Sequence, residues 1–182
     1  MSLTAVLVAE HRAIEQVVVA LEEAVAKLER GQSVRTAFFL EAAEFARTFT
    51  DRCHHSKEEA VLLPAMMAHG FPMTTGPLAV ILAEHEQARG RARAMREAAE
   101  ALERGDRAAG ALLLESARAY AALVRSHIAK EERALFPMAE SAIVAAKHAA
   151  VVLELERAVA ADGPARERAF AAARALESEM SN

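Results

Sequence analysis

The sequence contains little cysteine, few aromatic residues and few of the residues that interrupt helices. Its 182 residues include one cysteine, one tyrosine, no tryptophan, seven glycines and five prolines. A single cysteine excludes a disulfide within the chain, and it excludes a zinc or iron–sulfur site built from cysteine ligands. Because a sheet-rich domain would contain more aromatic and β-branched residues, this composition favours packed helices.

The sequence also lacks an excess of positive charge and a long apolar segment. Its formal net charge is −4 and its pI about 6.0, so no basic surface of the kind that binds nucleic acid is expected. No apolar run approaches the roughly 18 residues of a membrane-spanning helix, so we expect no membrane partner. Residues 1–10 are too few, and charged too early, for a signal peptide, from which we expect a cytoplasmic location.

The sequence is rich in alanine and leucine at helical spacing. Apolar residues recur at intervals of three and four, and glycine or proline separates the segments in which they do so. This pattern predicts an all-α fold of five or six helices. We expect them at about residues 2–30, 33–64, 77–104, 106–136, 141–161 and, in a short helix after Gly163-Pro164, up to about residue 180.

Two parts of the chain are copies of each other. Residues 54–64 read HHSKEEAVLLP and residues 127–137 read HIAKEERALFP, which align without gaps at an offset of 73. The first and third predicted helices also correspond, at an offset of 74, and both contain the tripeptide Ala-Glu-His. A duplicated helix pair predicts an antiparallel up-down four-helix bundle over residues 1–140. We expect residues 141–182 to form a C-terminal helical extension that packs on the bundle.

Each half contributes one isolated histidine and one His-x-x-x-Glu motif to the predicted bundle interior. These six residues are His11, His54, Glu58, His85, His127 and Glu131. Residues four apart lie on one face of a helix, so four packed helices would bring all six together. Buried carboxylates without partners cost several kcal/mol each, and a metal ion offsets that cost. Nitrogen and carboxylate-oxygen ligands without thiolate suit iron, manganese or zinc.

A purely structural role is the ordinary explanation for any one of these motifs taken alone. A single histidine at an apolar position is usually a hydrogen-bonded core residue, and a single His-x-x-x-Glu is usually a surface pair. The repetition of both motifs in matched positions favours a metal site instead. Two carboxylates with four histidines in a bundle core favour a dinuclear site.

The repeated segments, together with AEHRAIE and GPLAVILAEHEQAR, resemble the hemerythrin-like HHE cation-binding domain family over about residues 5–140. This resemblance implies a four-helix bundle that holds two non-haem iron ions bridged by two carboxylates, with zinc or manganese as substitutes. By this resemblance the bridges are Glu58 and Glu131, and the remaining ligands are His54, His127, His11 and His85.

The sequence departs from the hemerythrin oxygen carriers at two points. Four residues after His85 it has Arg89, where those carriers have a second histidine. Its fourth helix has His-x-x-x-Glu, where they have His-x-x-x-x-Asp. The resemblance therefore implies one iron with fewer protein ligands, open to a small molecule, and it argues against an oxygen carrier.

His55 is the candidate for an additional metal ligand. On a straight helix the apolar stripe at residues 38–49 is out of phase with His54 and Glu58, and it agrees better with His55 and Glu59. Either the helix contains a bulge before residue 54, or the site uses the second pair. The repeat favours His54 and Glu58, because the second copy offers no competing pair.

Several neighbours of the motifs have two interpretations each. Glu15 lies one turn after the first isolated histidine. It is either an acceptor for an imidazole N–H or an ordinary residue on the flank of the bundle. Tyr120 lines either the core or a ligand pocket. We expect Cys53 to be a small buried residue, and Lys57 and Lys130 to be solvated.

Two functions follow from this interpretation. The first is a di-iron protein that binds or reacts with dioxygen, nitric oxide or peroxide, takes electrons from a donor, and serves in redox sensing or stress response. The second is an iron-responsive sensor or storage bundle whose stability depends on metal occupancy, without catalysis. A helical interaction module without metal is a third function, but intact motifs in both halves argue against it.

Overall fold

The computed structural model describes residues 2–181, which form six helices and no strand. The helices are α1 (Ala5–Glu29), α2 (residues 36–67), α3 (Gly76–Glu103), α4 (residues 109–142), α5 (Ala145–Ala161) and α6 (Gly163–Ser181). The predicted all-α class is therefore confirmed. Within the described residues, no helix combines the length and the apolar character that crossing a membrane requires.

Glycines follow the ends of α1 and α3, as the sequence predicted. Gly31 and Gly105 have φ angles of 75° and 92°. This left-handed conformation is readily adopted by glycine, and it ends a helix by turning the chain away from the helix axis. Short loops then reverse the chain, so that the first four helices run alternately up and down.

The first four helices form a ring around one interior. α3 packs along α4, α4 packs along α1, and α2 packs along α3. α6 packs along α1 and also contacts α2, so it covers the side of the ring between these two helices. α5 contacts α2 near the end of that helix. The predicted division of the chain at residue 140 stays a prediction.

Buried apolar side chains form two regions, one toward each end of the ring. The first apolar region includes Met95 of α3 and receives Leu176 from α6. The second apolar region includes Leu62 of α2 and receives Leu155 from α5. Each fully buried aliphatic side chain contributes about 1.5–3 kcal/mol. The two regions are separated by one buried histidine in each of α1 and α3 and by buried histidine and glutamate in each of α2 and α4. These side chains form the polar layer described below.

Widened, π-helical turns occur next to the polar layer. They cover Ala46–His55 and Glu58–Leu62 in α2, and Glu131–Leu135 in α4. A π-turn contains an extra residue and therefore changes which side chains face inward after it. The first of these turns lies where the sequence indicated a conflict of phase. The bulge is thus confirmed, and it allows both the stripe at residues 38–49 and the pair His54 and Glu58 to face the interior.

α2 ends shortly after Pro64, one of the two ends that the sequence allowed, and α4 continues beyond Pro137, where the sequence predicted an end or a kink. Pro64 and Pro137 each lie in the first turn of the α-helical segment that follows a π-turn. Proline in a regular helix lacks a donor and collides with the preceding turn, and a widened turn just before it relieves that collision. Because α4 extends to residue 142, the fifth helix begins at Ala145 and not near residue 141 as predicted.

Candidate metal centre

The polar layer brings together all seven residues that the sequence proposed as metal ligands. α1 and α3 contribute one histidine each, while α2 and α4 contribute the two His-x-x-x-Glu motifs. Every side chain in the layer is at most 3% exposed. The seven residues are His11, His54, His55, Glu58, His85, His127 and Glu131.

Six of these residues form two ligand groups that share both carboxylates. The first ligand group is His11, His54, Glu58 and Glu131, and the second ligand group is His85, His127, Glu58 and Glu131. Within each group, one nitrogen or oxygen from every residue lies within 4.8 Å of the others. This is the arrangement that two carboxylates bridging two ions would require.

The two oxygens of each shared carboxylate point to different groups. Glu58 Oε1 lies 3.6 Å from His54 Nε2, and Glu58 Oε2 lies 3.3 Å from His85 Nε2. Glu131 Oε2 lies 3.2 Å from His11 Nε2, and Glu131 Oε1 lies 3.1 Å from His127 Nε2. Ligand atoms bound to one ion at about 2.1 Å and at right angles lie about 3 Å apart, so these spacings suit coordination.

Within the described part of the chain, most of the ligand atoms lack a hydrogen-bond partner, while His11 Nε2 and His54 Nε2 lie 3.1 Å from each other. Among the described residues, eight buried side-chain nitrogen and oxygen atoms lack a hydrogen-bond partner, and six of them belong to the ligand groups. The six are both oxygens of Glu58, both oxygens of Glu131, His85 Nε2 and His127 Nε2. Buried polar groups are nearly always paired, so a cluster of unpaired ones indicates a bound cation.

Each of the four histidines places its other ring nitrogen against a carboxylate outside the layer. These Nδ1–Oε distances are 2.7–3.2 Å, in the pairs His11–Glu132, His54–Glu10, His85–Glu59 and His127–Glu84. An Nδ1–H that donates to a carboxylate leaves the Nε2 lone pair free for a metal and fixes the orientation of the ring.

A basic side chain holds each of these four outer carboxylates in turn. The contacts are Arg12 to Glu132, Arg89 to Glu59, Lys130 to Glu84, and both Lys57 and Arg166 to Glu10. The orientation of every imidazole is therefore fixed by a chain of two charged residues, which preorganises the centre.

Comparison with family models decides the assignment. The chain matches the hemerythrin HHE cation-binding domain over residues 2–139. The chain belongs to this family. Comparisons with curated proteins and with solved structures gave no match. The resemblance seen in the sequence is thus confirmed, and cation binding is the property that the family carries.

The sequence did not predict the role of the outer carboxylates in this HHE domain, although it offered Glu59 as a ligand in the alternative pair with His55. Glu10 and Glu84 directly precede the isolated histidines, and Glu59 and Glu132 directly follow the motif glutamates. Their repetition at the two offsets of the duplication is the signal that could have found them. Glu15, which the sequence offered for this role, pairs instead with Arg12 at 2.6 Å, on the outer side of α1.

The ionisation of the HHE centre reflects its concentrated negative charge. Burial lowers the pKa of His127, but the contact with Glu131 outweighs it and raises the pKa to about 9. Burial raises the pKa of Glu131, but His11 and His127 outweigh it and hold the pKa well below its usual range. The buried carboxylates thus favour a cation at the imidazole nitrogens, whether a proton or a metal ion.

His55 lies at the edge of the second ligand group, and its ring is oriented differently from those of the four ligand histidines. Its ring stacks on that of His85, with centroids 3.8 Å apart and planes 12° apart. A metal lies in the plane of the imidazole that binds it, so one ion cannot lie in the planes of two rings stacked in parallel. One nitrogen of His55 nevertheless lies within 4.8 Å of a nitrogen of His85 and of His127, so rotation of the His55 ring would place it as an additional ligand.

Lys57 is buried, contrary to the prediction that it is solvated. Its side chain is 2% exposed, and Nζ lies 2.7 Å from the carbonyl oxygen of Cys53 and 3.3 Å from Glu10. Asp162, at the junction of α5 and α6, lies 3.2 Å away. Two carboxylates thus compensate the buried ammonium group. Cys53 is buried as predicted, and burial raises the pKa of its thiol to about 12.

Proposed function

We propose that this HHE domain holds two metal ions, which we expect to be iron, and that the pair binds or reacts with dioxygen, nitric oxide or a peroxide. The placement of Glu58 and Glu131 carries the proposal. Each directs one oxygen to either pair of histidines, and these four oxygens lack hydrogen-bond partners among the described residues. One cation on each side would compensate both carboxylates.

The two ligand groups divide the coordination between them. His11 and His54 would hold one ion and His85 and His127 the other, with Glu58 and Glu131 common to both. When bound, an iron pair supplies coordination positions and electrons for a small oxidant. Each group provides four protein ligands, so an ion that takes six has room for a small molecule.

The protein contributes orientation and a dry environment. The ring of Phe136 stacks on His11, with centroids 5.5 Å apart, and so closes the centre toward the second apolar region. The first apolar region closes it on the opposite side. Exclusion of water strengthens every electrostatic interaction within the polar layer.

Metal analysis of protein purified without chelators is the first test. We expect two metal ions per chain, and fewer for Glu58→Gln, because an amide removes the negative charge that the bridge needs. Glu97→Gln, at an exposed position of α3, is the matched control. A wild-type protein with no bound metal would contradict the proposal.

Reactivity is tested separately on the reduced, iron-loaded protein. We expect its absorption spectrum to change when dioxygen or nitric oxide is added, and we expect Glu58→Gln to lose this response. Spectra that are identical before and after each gas would rule out the proposed reactivity while leaving metal binding in place.

A second candidate function is a sensor or store in which metal occupancy controls stability. The polar layer favours it, because two buried carboxylates lie between the two apolar regions and need a cation. A metal at about 100 times its Kd would stabilise the fold by about 2.7 kcal/mol. We expect chelation to lower the melting temperature by several degrees. Equal melting temperatures with and without metal would eliminate this candidate.

A further inference from the structure

A cavity of about 200 Å³ lies between α2 and α3 and leads from the surface to the polar layer. Its outer part is lined by Arg93 and Arg96, which are exposed, and its inner part by His55 and Tyr120, which are buried. Because His55 stacks on His85, one imidazole ring separates the cavity from the second ligand group. None of the roles described above uses this space.

The wall of the cavity is built from small apolar side chains. Four alanines line it, and each is at most 8% exposed: Ala43, Ala46, Ala88 and Ala92. The cavity opens at the surface, and its small apolar side chains leave room for a ligand beside the buried site. An apolar cavity of about 150 Å³ binds benzene, and in proportion this one holds about eight non-hydrogen atoms.

The inner part of the cavity contains two buried hydroxyl groups. Thr50 lines it and is 2% exposed, and its hydroxyl interacts with the phenol of Tyr120, which lines the same space. Burial raises the pKa of Tyr120 to about 12, so the phenol remains a neutral hydroxyl that can donate to Thr50. The O–H of Thr50 is then free to donate to a ligand with one oxygen function.

The charges around the cavity do not favour an anion. Arg47 and Arg96 both contact Glu44, at 2.5 and 3.3 Å. Arg89 contacts Asp51 at 2.6 Å, and the carboxylate of Asp51 itself lines the cavity. An anionic ligand in the inner part would meet this carboxylate. Three of the four arginines that line the cavity are already paired, and the fourth, Arg93, is exposed at the outer end.

We propose that the cavity binds a small uncharged organic molecule of about eight non-hydrogen atoms with one oxygen function, such as an alcohol. The oxygen bonds to Thr50, and the apolar body contacts the alanines. The inference rests on the proposed function in one respect, since the molecule would lie beside the metal pair as its organic substrate. Binding in the cavity does not itself require the metals.

Benzyl alcohol and ethylbenzene, which have equal numbers of non-hydrogen atoms, test the proposal by calorimetric titration of the full chain. We expect benzyl alcohol to bind the wild-type protein. Thr50→Val keeps the shape of the side chain and removes the hydroxyl. We expect it to shift the ratio of the two affinities toward ethylbenzene by about three- to tenfold. An unchanged ratio would exclude Thr50 as the partner of the oxygen and overturn the proposed mode of binding.

A second experiment fills the cavity with a larger side chain. We expect Ala92→Leu to weaken both compounds at least tenfold, while Ala94→Leu, a half-buried position of the same helix outside the cavity, leaves them unchanged. No binding of benzyl alcohol to the wild type, or equal effects of the two variants, would overturn the proposal.

Metal content is measured on the same samples, which separates the two proposals. Protein without metal that binds benzyl alcohol contradicts the proposed function alone. Protein with two metals that does not bind benzyl alcohol contradicts the cavity proposal alone.

Discussion

Each histidine of the two ligand groups lies between a carboxylate of the polar layer and an outer carboxylate. Since both ring nitrogens have a defined direction, the imidazole orientation is set before any metal binds. Outer partners of this kind typically change metal affinity 10- to 100-fold when they are replaced. The orientation of the ligands is therefore a property of eight residues and not only of the four histidines.

Glu84→Gln tests this arrangement at one histidine. An amide in place of the carboxylate weakens the bond to His127 Nδ1 and releases Lys130, so the ring loses its fixed orientation. We expect the affinity of the second ligand group to fall about 10-fold or more. Competition with a chromogenic chelator measures this, with exposed Glu97→Gln of the same helix as control. Equal affinities in the two variants would show that Glu84 has no positioning role.

The candidate ligands were predicted because each motif occurs twice, but the sequence does not show which imidazole each outer carboxylate contacts. Glu10 and Glu59 are charged residues on helices that carry many, and only the packing of another helix shows which imidazole each one meets. Lys57 has the same difficulty, because the compensating Asp162 lies more than 100 residues away in the sequence. Sequence pattern identifies the histidines and glutamates at apolar positions. Contacts between residues far apart in the sequence decide which charged side chains support them.

At the scale of the helices, the spacing of apolar residues and the positions of glycine and proline predicted the helices. They indicated only one of the π-helical turns. The conflict of phase at residues 38–49 indicated the bulge in α2. No such conflict occurs in α4, where the apolar seam is regular, yet Glu131–Leu135 forms a π-turn as well. Both copies of the motif thus adopt the same distortion at the motif glutamate. Each of these two π-turns is followed by a proline in the first turn of the next α-helical segment, so the repeated proline accounts for the repeated distortion.

The start of α1 is held by another helix. Thr4 makes no side-chain capping bond, and Glu140 of α4 instead accepts the N–H groups of Leu3 and Thr4, at 2.6 and 3.3 Å, and the hydroxyl of Ser2. Burial raises the pKa of Glu140, but these donors outweigh it and keep the pKa below its usual value. Glu140 therefore replaces the N-cap side chain and joins the ends of α1 and α4.

Glu140→Gln should lower the free energy of unfolding by about 1 kcal/mol at pH 7, the usual loss for a helix cap. A carboxyl group with a lowered pKa stabilises the fold above its unfolded pKa, and this contribution is lost as the pH falls through the folded value. The difference from wild type should therefore shrink below about pH 4.5. Urea denaturation across this range measures it, with exposed Glu115→Gln as control. A difference that is independent of pH would contradict the assignment.

At the scale of the whole molecule, charged residues of the C-terminal segment that the structure describes contact the outer residues of the first ligand group. Arg166 of α6 reaches Glu10, which holds His54, and Asp162 reaches Lys57, which also contacts Glu10. The corresponding carboxylate of the second ligand group, Glu84, contacts only Lys130 among the basic residues that the structure describes. These contacts come from beyond residue 139, where the match to the family ends.

Arg166→Gln should therefore affect the two metal ions unequally. We expect the affinity of the first ligand group to fall by less than the roughly 10-fold of a direct outer partner, and the second to stay unchanged. Stepwise metal titration measures both steps. Exposed Arg168→Gln of the same helix is the control. Equal weakening of the two steps would show that α6 acts on overall stability alone.

The contact between α6 and Glu10 also has a consequence for the symmetry of the centre. A duplicated helix pair starts with two equivalent halves, and equivalent halves would hold their ions with equal affinity. Once a single added helix supports one of them, the two affinities differ. We therefore expect the ion of the first ligand group to exchange with the surrounding solution more slowly than the ion of the second.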